Sequence, residues 1–190
     1  MKIACILGSP RKDGNSATIA DHFLRTAEGL GAETRIFRLN ELDFKGCQAC
    51  YACKKESDRC IISDDLSEVL DTVREADILV LATPVYFGAI TGQLKLFIDR
   101  TFSFLNPDFI TSSTPSRLTP GKKLVFIAAQ GQPDEKLFAD IYPHYESFLR
   151  WFGYTDNYLI RACGVNSRGE VKKQQQVMDK AESIAMEIVS

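Results

Sequence analysis

Residues 2–20, KIACILGSPRKDGNSATIA, set the frame for the whole chain. Ile3-Ala4-Cys5-Ile6-Leu7 is a short unbroken apolar run, the pattern of a strand buried on both faces. Residues 8–15 are polar and carry Pro10, Arg11 and Gly14. From Ser16 the period changes, and Ile19, Phe23, Leu24, Ala27 and Leu30 fall on one helical face. The order is buried strand, polar turn, helix start. Such a turn gathers unpaired backbone N–H groups at the positive end of a helix dipole, which suits an anion. Ser9, Asn15, Ser16 and Thr18 add neutral donors, and Arg11 adds a fixed positive charge. A phosphate monoester can accept from all of them. The turn is not a P-loop, because no Gly-Lys-Ser/Thr follows its glycines. Nor is it the dinucleotide G-x-G-x-x-G, since only Gly8 and Gly14 are present. Gly, Ser and Asn also occupy such turns simply as helix caps, so the remainder of the chain must decide.

That remainder repeats the same alternation. Residues 33–39 read as a second, less buried strand. Residues 40–62 lose all periodicity and hold four cysteines. Asp64 and Asp65 favour a helix start, and Leu66, Val69, Leu70 and Val73 form its apolar face. Residues 78–82 are another fully apolar strand, and TPVYFGA follows at 83–89. Ile90, Leu94, Phe97, Ile98 and Phe102 give the next helix one side. Residues 105–120 are rich in Pro, Ser and Thr, and long for a plain connection, which makes them a candidate lid or dimer contact. Residues 124–129 form a buried strand ending in Gln130-Gly131-Gln132-Pro133. A helix is expected from Asp134, with Leu137, Ile141, Tyr145, Phe148 and Phe152 inward. A fifth strand over 157–163 and a closing helix over 170–189, with Val177, Ala181, Ile184, Ala185 and Ile188 inward, complete the count.

Five strands alternating with five helices imply a parallel sheet covered on both faces, with right-handed crossovers. The expected domain organisation is one unit over residues 1–190, with a cysteine-rich excursion at 44–62. At 190 residues the chain can bury a full core. The formal charge of -2, with both signs interspersed, offers no basic stripe for nucleic acid and no polybasic block for a membrane. The N-terminal apolar run is too short for a signal or transmembrane segment, so a cytoplasmic protein is expected. In that compartment six cysteines are more consistent with a metal or redox role than with a disulfide framework.

In sheets of this type ligands bind at the carboxyl ends of the strands, where strand order reverses. Three loops fall there: 8–16, 84–89 and 130–133. The first suits a phosphate. The second offers Pro84, Val85, Tyr86 and Phe87 as flat apolar groups, and Gly88 for close backbone approach. The third offers amide side chains and Gly-rich backbone at Gln130 and Gly131. Together they can hold a ligand with a phosphate at one end and a flat polar ring at the other.

With Gly8-Ser9-Pro10-Arg11-x-x-Gly14-Asn15-Ser16 and Thr83-Pro84-Val85-Tyr86-Phe87-Gly88 in place, the sequence resembles the NADPH-dependent FMN reductase branch of the flavodoxin-like superfamily. The four-cysteine stretch resembles that of its iron–sulfur flavoprotein relatives. The resemblance covers residues 1–131 and implies a flavodoxin-like three-layer α/β sandwich, with a five-stranded parallel sheet in the order 2-1-3-4-5. It implies FMN, its phosphate held by Ser9, Arg11, Asn15 and Ser16. The flavin ring would be bordered by Pro84, Val85, Tyr86, Phe87 and Gly88, with Gln130 and Gly131 on another side. It also implies a homodimer or homotetramer.

Cys47-x2-Cys50-x2-Cys53-x6-Cys60 is the second signal. Three thiolates three residues apart, with a fourth soon after, can wrap one compact metal centre, and the resemblance implies [4Fe-4S]. Zinc with four cysteines, empty thiols and a disulfide-exchange switch are alternatives. Cys5 and Cys163 sit within strand patterns and read as buried, inert thiols. His22 and His144 lie on expected helices without a partner motif, and Trp151 reads as core or interface.

The expected function is an FMN-dependent oxidoreductase or electron-transfer flavoprotein, passing electrons between FMN and a [4Fe-4S] cluster. No side chain need act as acid or base, so no catalytic residue is assigned. One alternative is an NAD(P)H-dependent FMN or quinone reductase without a cluster. Another is a thiol- or zinc-based redox sensor on the same scaffold. Expected partners are NAD(P)H as donor and a ferredoxin, a quinone or free flavin as the other redox partner.

Overall fold

The structure is a computed structural model that describes residues 1–189. The strands are β1 (Lys2–Leu7), β2 (Glu33–Arg38), β3 (Ile78–Pro84), β4 (Lys123–Ala129) and β5 (Asp156–Ala162). The helices are α1 (Asn15–Gly29), the single turn α2 (Ala52–Lys55), α3 (Leu66–Glu75), α4 (Gly92–Arg100), α5 (Ile141–Leu149) and α6 (Gln175–Val189). All strand pairs are parallel, in the order β2-β1-β3-β4-β5. The expected sheet and order are therefore observed. Strand order reverses between β1 and β3, and the turns leaving these two strands open side by side. No helix among the described residues is long and apolar enough to cross a membrane.

The apolar runs explain the layers. In β1, β3 and β4 alternate residues enter opposite cores. Ile3, Cys5 and Leu7 join Ile19, Phe23 and Leu24 of α1 and Ile184 and Ile188 of α6 on one face. Ala4, Ile6, Leu79 and Leu81 join α3, α4 and α5 on the other. Edge strand β2 is largely exposed, with Phe37 as its buried residue.

Two expected helices differ. The helix placed at Asp134 begins only at Ile141. Residues 134–140 are drawn into turns by side chains from below. Gln130 Nε2 donates to the carbonyls of Gln132 and Asp134, while Arg161 donates to those of Glu135 and Leu137. Phe138 sits at φ 63 in consequence of this winding path. Leu137 and Phe148, expected inward, are exposed, whereas Ile141 and Phe152 are buried. The closing helix starts at Gln175 and not at Glu170, whose carboxylate instead accepts from the N–H groups of Asn166 and Ser167 at 2.7 and 2.8 Å. Cys163 is only partly buried, while Cys5 is fully buried as expected. Residues 105–120 form a stapled loop, closed by Asn106 N–H to Pro115 O at 2.8 Å and Arg117 N–H to Phe104 O at 2.7 Å.

Candidate functional site

The turn after β1 is built to receive an anion. Gly14 caps α1 with extended backbone and no side-chain hydrogen bond, and no acidic residue stands in the first helical turn. The first N–H groups of α1 thus have no side-chain acceptor. Ser9 Oγ accepts from Arg11 N–H at 3.1 Å, which folds the turn back on itself. A Cβ at Gly14 would lie 2.7 Å from Ser9 Oγ, so only glycine leaves this cradle open. Ser16 Oγ is buried beneath the turn and has no hydrogen-bond partner. A buried hydroxyl left alone costs about 1–3 kcal/mol, and a bound oxyanion would satisfy it. Arg11 is exposed, with one guanidinium nitrogen 3.0 Å from Asn166 O. Arg38 donates to Lys12 O at 3.2 Å and brings a second cation under the loop.

Ser9, Arg11, Gly14, Asn15, Pro84, Val85, Tyr86 and Gly131 line one polar cleft of about 160 Å³. The structure therefore brings together residues from all three sequence-predicted loops. Asn15 lines this cleft and also ties two distant segments together. Its Nδ2 donates to Ser167 O at 2.9 Å and its Oδ1 accepts from Val171 N–H at 3.1 Å. Both ends of its amide are engaged in tying α1 to the segment after β5. Gln130 is displaced from the ligand role: it is buried, and its Oε1 accepts from Arg161. Its neighbour Gly131 faces the cleft instead.

Val165 and Asn166 line the same cleft and were not anticipated from sequence. Asn166 Nδ2 donates to Gly131 O at 3.3 Å. The readable signal was Gly164-Val165-Asn166-Ser167, a turn directly after the fifth strand and so at the ligand end of the sheet.

At the rim, residues 86–89 form a two-residue hairpin. Tyr86 and Ala89 exchange backbone hydrogen bonds at 2.9 and 3.1 Å, with Phe87 at φ 52 and Gly88 at φ 78. This is the geometry of a type I′ turn, which normally selects Asn-Gly. Phe87 occupies the left-handed position with its ring fully exposed. A strained, solvent-facing aromatic beside a ligand cleft is a feature of binding sites rather than of cores.

The four cysteines lie elsewhere, on the face carrying α4 and α5. Cys47, Cys50, Cys53 and Cys60 all line one cavity of about 690 Å³. Its other walls include Tyr51, Phe102, Phe109, His144, Phe148 and Trp151. These rings meet largely edge to face, as between Tyr51 and Phe102 at 6.0 Å and Phe148 and Trp151 at 6.1 Å. Among the described residues no three His, Cys, Asp or Glu side chains converge on a single metal-ion position. A tetrahedral zinc site, with four sulfurs about 2.3 Å from one ion, is therefore not preformed. An iron–sulfur cluster spreads its thiolates over several irons, so the single-ion criterion does not test that ligand set. Partial burial pushes the Cys53 thiol up, nearby Lys54 opposes this, and the other three cysteines reinforce it. Ala49 and Tyr51 both hold left-handed backbone, at φ 52 and 58, so the loop is strained where the thiols lie.

Comparison with known proteins follows this geometry. The family model for NADPH-dependent FMN reductase matches residues 1–141. The chain belongs to the NADPH-dependent FMN reductase family. Within it, an iron–sulfur flavoprotein of Methanocaldococcus jannaschii is 39% identical over 101 residues, covering 53% of this chain and 52% of the relative. An iron–sulfur flavoprotein of Archaeoglobus fulgidus is 33% identical over 135 residues, 71% of this chain and 58% of that protein. The chain thus spans little more than half the length of these curated relatives. In fold, this member of the NADPH-dependent FMN reductase family is similar to an FMN-dependent NADH-azoreductase from Bacillus anthracis, with TM-score 0.76, 18% identity and full coverage of both chains. It is equally similar to an NAD(P)H:quinone oxidoreductase from Methanothermobacter marburgensis, with TM-score 0.76, 16% identity, and 97% and 94% of the two chains covered.

Proposed function

We propose that this chain is an FMN-dependent oxidoreductase whose cysteine loop holds a [4Fe-4S] cluster. The observation that carries the flavin part is the partnerless, buried Ser16 hydroxyl under an uncapped helix start, at the point where the sheet changes direction. Ser9, Ser16, Arg11 and the N–H groups at the head of α1 would hold the FMN phosphate. Pro84, Val85, Tyr86 and the hairpin at 87–88 would border the ring, with Gly131 opposite. Bound flavin supplies the chemistry of two-electron uptake and one-electron release. The protein's own part is to bind the phosphate, orient the ring and exclude water from one side of it. No side chain in the cleft is asked to move a proton.

The cluster part is supported by four thiols on one wall and by the names of the similar proteins. The lack of a preformed single-ion site favours a second reading for the same loop: thiols without metal, in an NAD(P)H-dependent flavin or quinone reductase. A single preparation separates the two. Protein purified without oxygen is assayed for FMN, iron and acid-labile sulfide. FMN with iron and sulfide supports the electron-transfer flavoprotein. FMN without iron leaves the metal-free reductase, and absence of FMN binding overturns both. Assembly as a homodimer or homotetramer is part of the proposal and is read by light scattering on the same sample.

A further inference from the structure

Arg100, the last residue of α4, has a fully buried side chain. Nη1 donates to Lys45 O at 2.8 Å, on the chain entering the cysteine loop. Nη2 donates to Ile62 O at 3.0 Å, on the chain leaving it. Both nitrogens also grip Asp64, at 2.8 and 3.2 Å, in a two-pronged ion pair. Asp64 in turn accepts from the N–H of Lys45 at 3.0 Å and of Leu66 at 3.1 Å. One planar cation and one carboxylate therefore close residues 45–62 into a ring. The remaining donor, Nε, is buried and has no partner, and Cys60 lies beside this guanidinium.

We propose that Arg100 is the positioning residue of the four-cysteine centre: its fork pins both ends of the loop, and its spare N–H serves a sulfur of the bound cluster at Cys60. The inference rests on the cluster reading above. The geometry needs arginine. Lysine offers a point charge without the planar fork and cannot reach two carbonyls and a carboxylate in fixed directions. The buried charge also offsets negative charge that four thiolates bring to the site. Further along the loop, Arg117 donates to Cys53 O at 2.8 Å, and Lys54 Nζ donates to Phe102 O at 2.6 Å and Leu105 O at 2.7 Å. All three cations bind the loop to α4 or to the turns that follow it. At the other end of α4, Thr91 N–H donates to Thr83 Oγ1 at 3.2 Å, next to the flavin hairpin. The nine-residue helix spans about 14 Å and fixes the separation of the two sites.

The test uses Arg100→Lys, which keeps the charge and loses the fork, and Arg100→Met, which loses both. Hydrogen–deuterium exchange is followed on metal-free protein for peptides spanning residues 45–62. Iron and FMN per chain are then measured after anaerobic reconstitution with ferrous iron and sulfide. In Arg100→Lys the loop should exchange about tenfold faster or more, iron should fall below half of wild type, and FMN should stay level. In Arg100→Met the residual cluster should also have a more negative reduction potential than in Arg100→Lys. Wild-type exchange and wild-type iron in Arg100→Lys would overturn the inference. If wild-type protein takes up no iron, the cluster reading falls, while loop exchange still decides whether Arg100 holds the ring closed. If either variant lacks FMN and is unfolded, Asp64→Glu, which keeps a counter-ion for Arg100 while shifting the fork, opens the same ring from its other half and is read in the same way.

Discussion

The side-chain oxygen of Asn166 stands where a Cβ on Gly131 would be, at 2.2 Å from it. The two residues come from the turns after β5 and β4, and both line the polar cleft. Gly131→Ala must therefore push Asn166 aside, although the backbone at 131 is not in the left-handed region. Displacement of Asn166 should weaken FMN binding about tenfold, or about 1.4 kcal/mol, with little change in the thermal midpoint of the free protein. Flavin fluorescence titration and a thermal melt of the variant beside wild type check it.

Ser16→Ala should change stability and affinity in opposite directions. Removing a buried hydroxyl that has no partner deletes an unmet polar group, so the flavin-free protein should melt no lower than wild type. The same change should cost binding about 1.5–3 kcal/mol if that hydroxyl donates to a charged phosphate. Calorimetric melting of the free protein and FMN titration give the two signs. Weaker melting with unchanged affinity would show the hydroxyl to be structural.

Phe87→Asn converts Phe87-Gly88 into the Asn-Gly pair that a type I′ turn prefers. Relief of left-handed strain at Phe87 should stabilise the free protein by about 1 kcal/mol. Flavin affinity should fall, because the exposed ring is lost from the rim. An unchanged affinity would place Phe87 outside the flavin contact.

Asp64 gives the cysteine loop a defined acid limit. Partial burial raises its carboxyl pKa, but hydrogen bonds from Arg100 and from the Lys45 and Leu66 N–H groups outweigh this and hold it below the usual carboxylate range. A group depressed in the folded state stabilises above its unfolded value, about 3.9. That contribution is lost as pH falls through the lower folded value. Loop protection should therefore persist at pH 5 and disappear only below about pH 4. Asp64→Asn should cost about 3–5 kcal/mol at pH 7, since it leaves Arg100 buried without its counter-ion. It should also flatten the wild-type difference in denaturation midpoint between pH 7 and pH 4.

The parallel sheet was legible because buried parallel strands write themselves as unbroken apolar runs, and its order followed from the family resemblance. The turns at 8–16, 84–89 and 130–133 were legible as strand ends, and Ser9, Arg11, Pro84, Tyr86 and Gly131 from them line one cleft. What was hidden follows from side chains acting on distant backbone. Nothing local marks Gln130 and Arg161 as the groups that take three carbonyls away from the expected helix at 134–140. Asn15 fitted a phosphate ligand by type, and nothing local shows that its amide also binds Ser167 and Val171, more than 150 positions away. No local pattern in the sequence marks Arg100. Its importance is set by which carbonyls happen to surround it.

The clamp between Asn15 and Val171 also bears on how the protein is made. The helix start that would grip the phosphate leaves the ribosome about 150 residues before its partners at 166–171. Sequence-distant contacts of this kind form slowly, after their loop-closure entropy has been met. A nascent chain that has released β1 to β4 would have most of a sheet and an open, unlatched flavin cleft. Cofactor capture would then wait until residues 166–171 have emerged, and FMN fluorescence quenching on stalled chains of increasing length would time the latch.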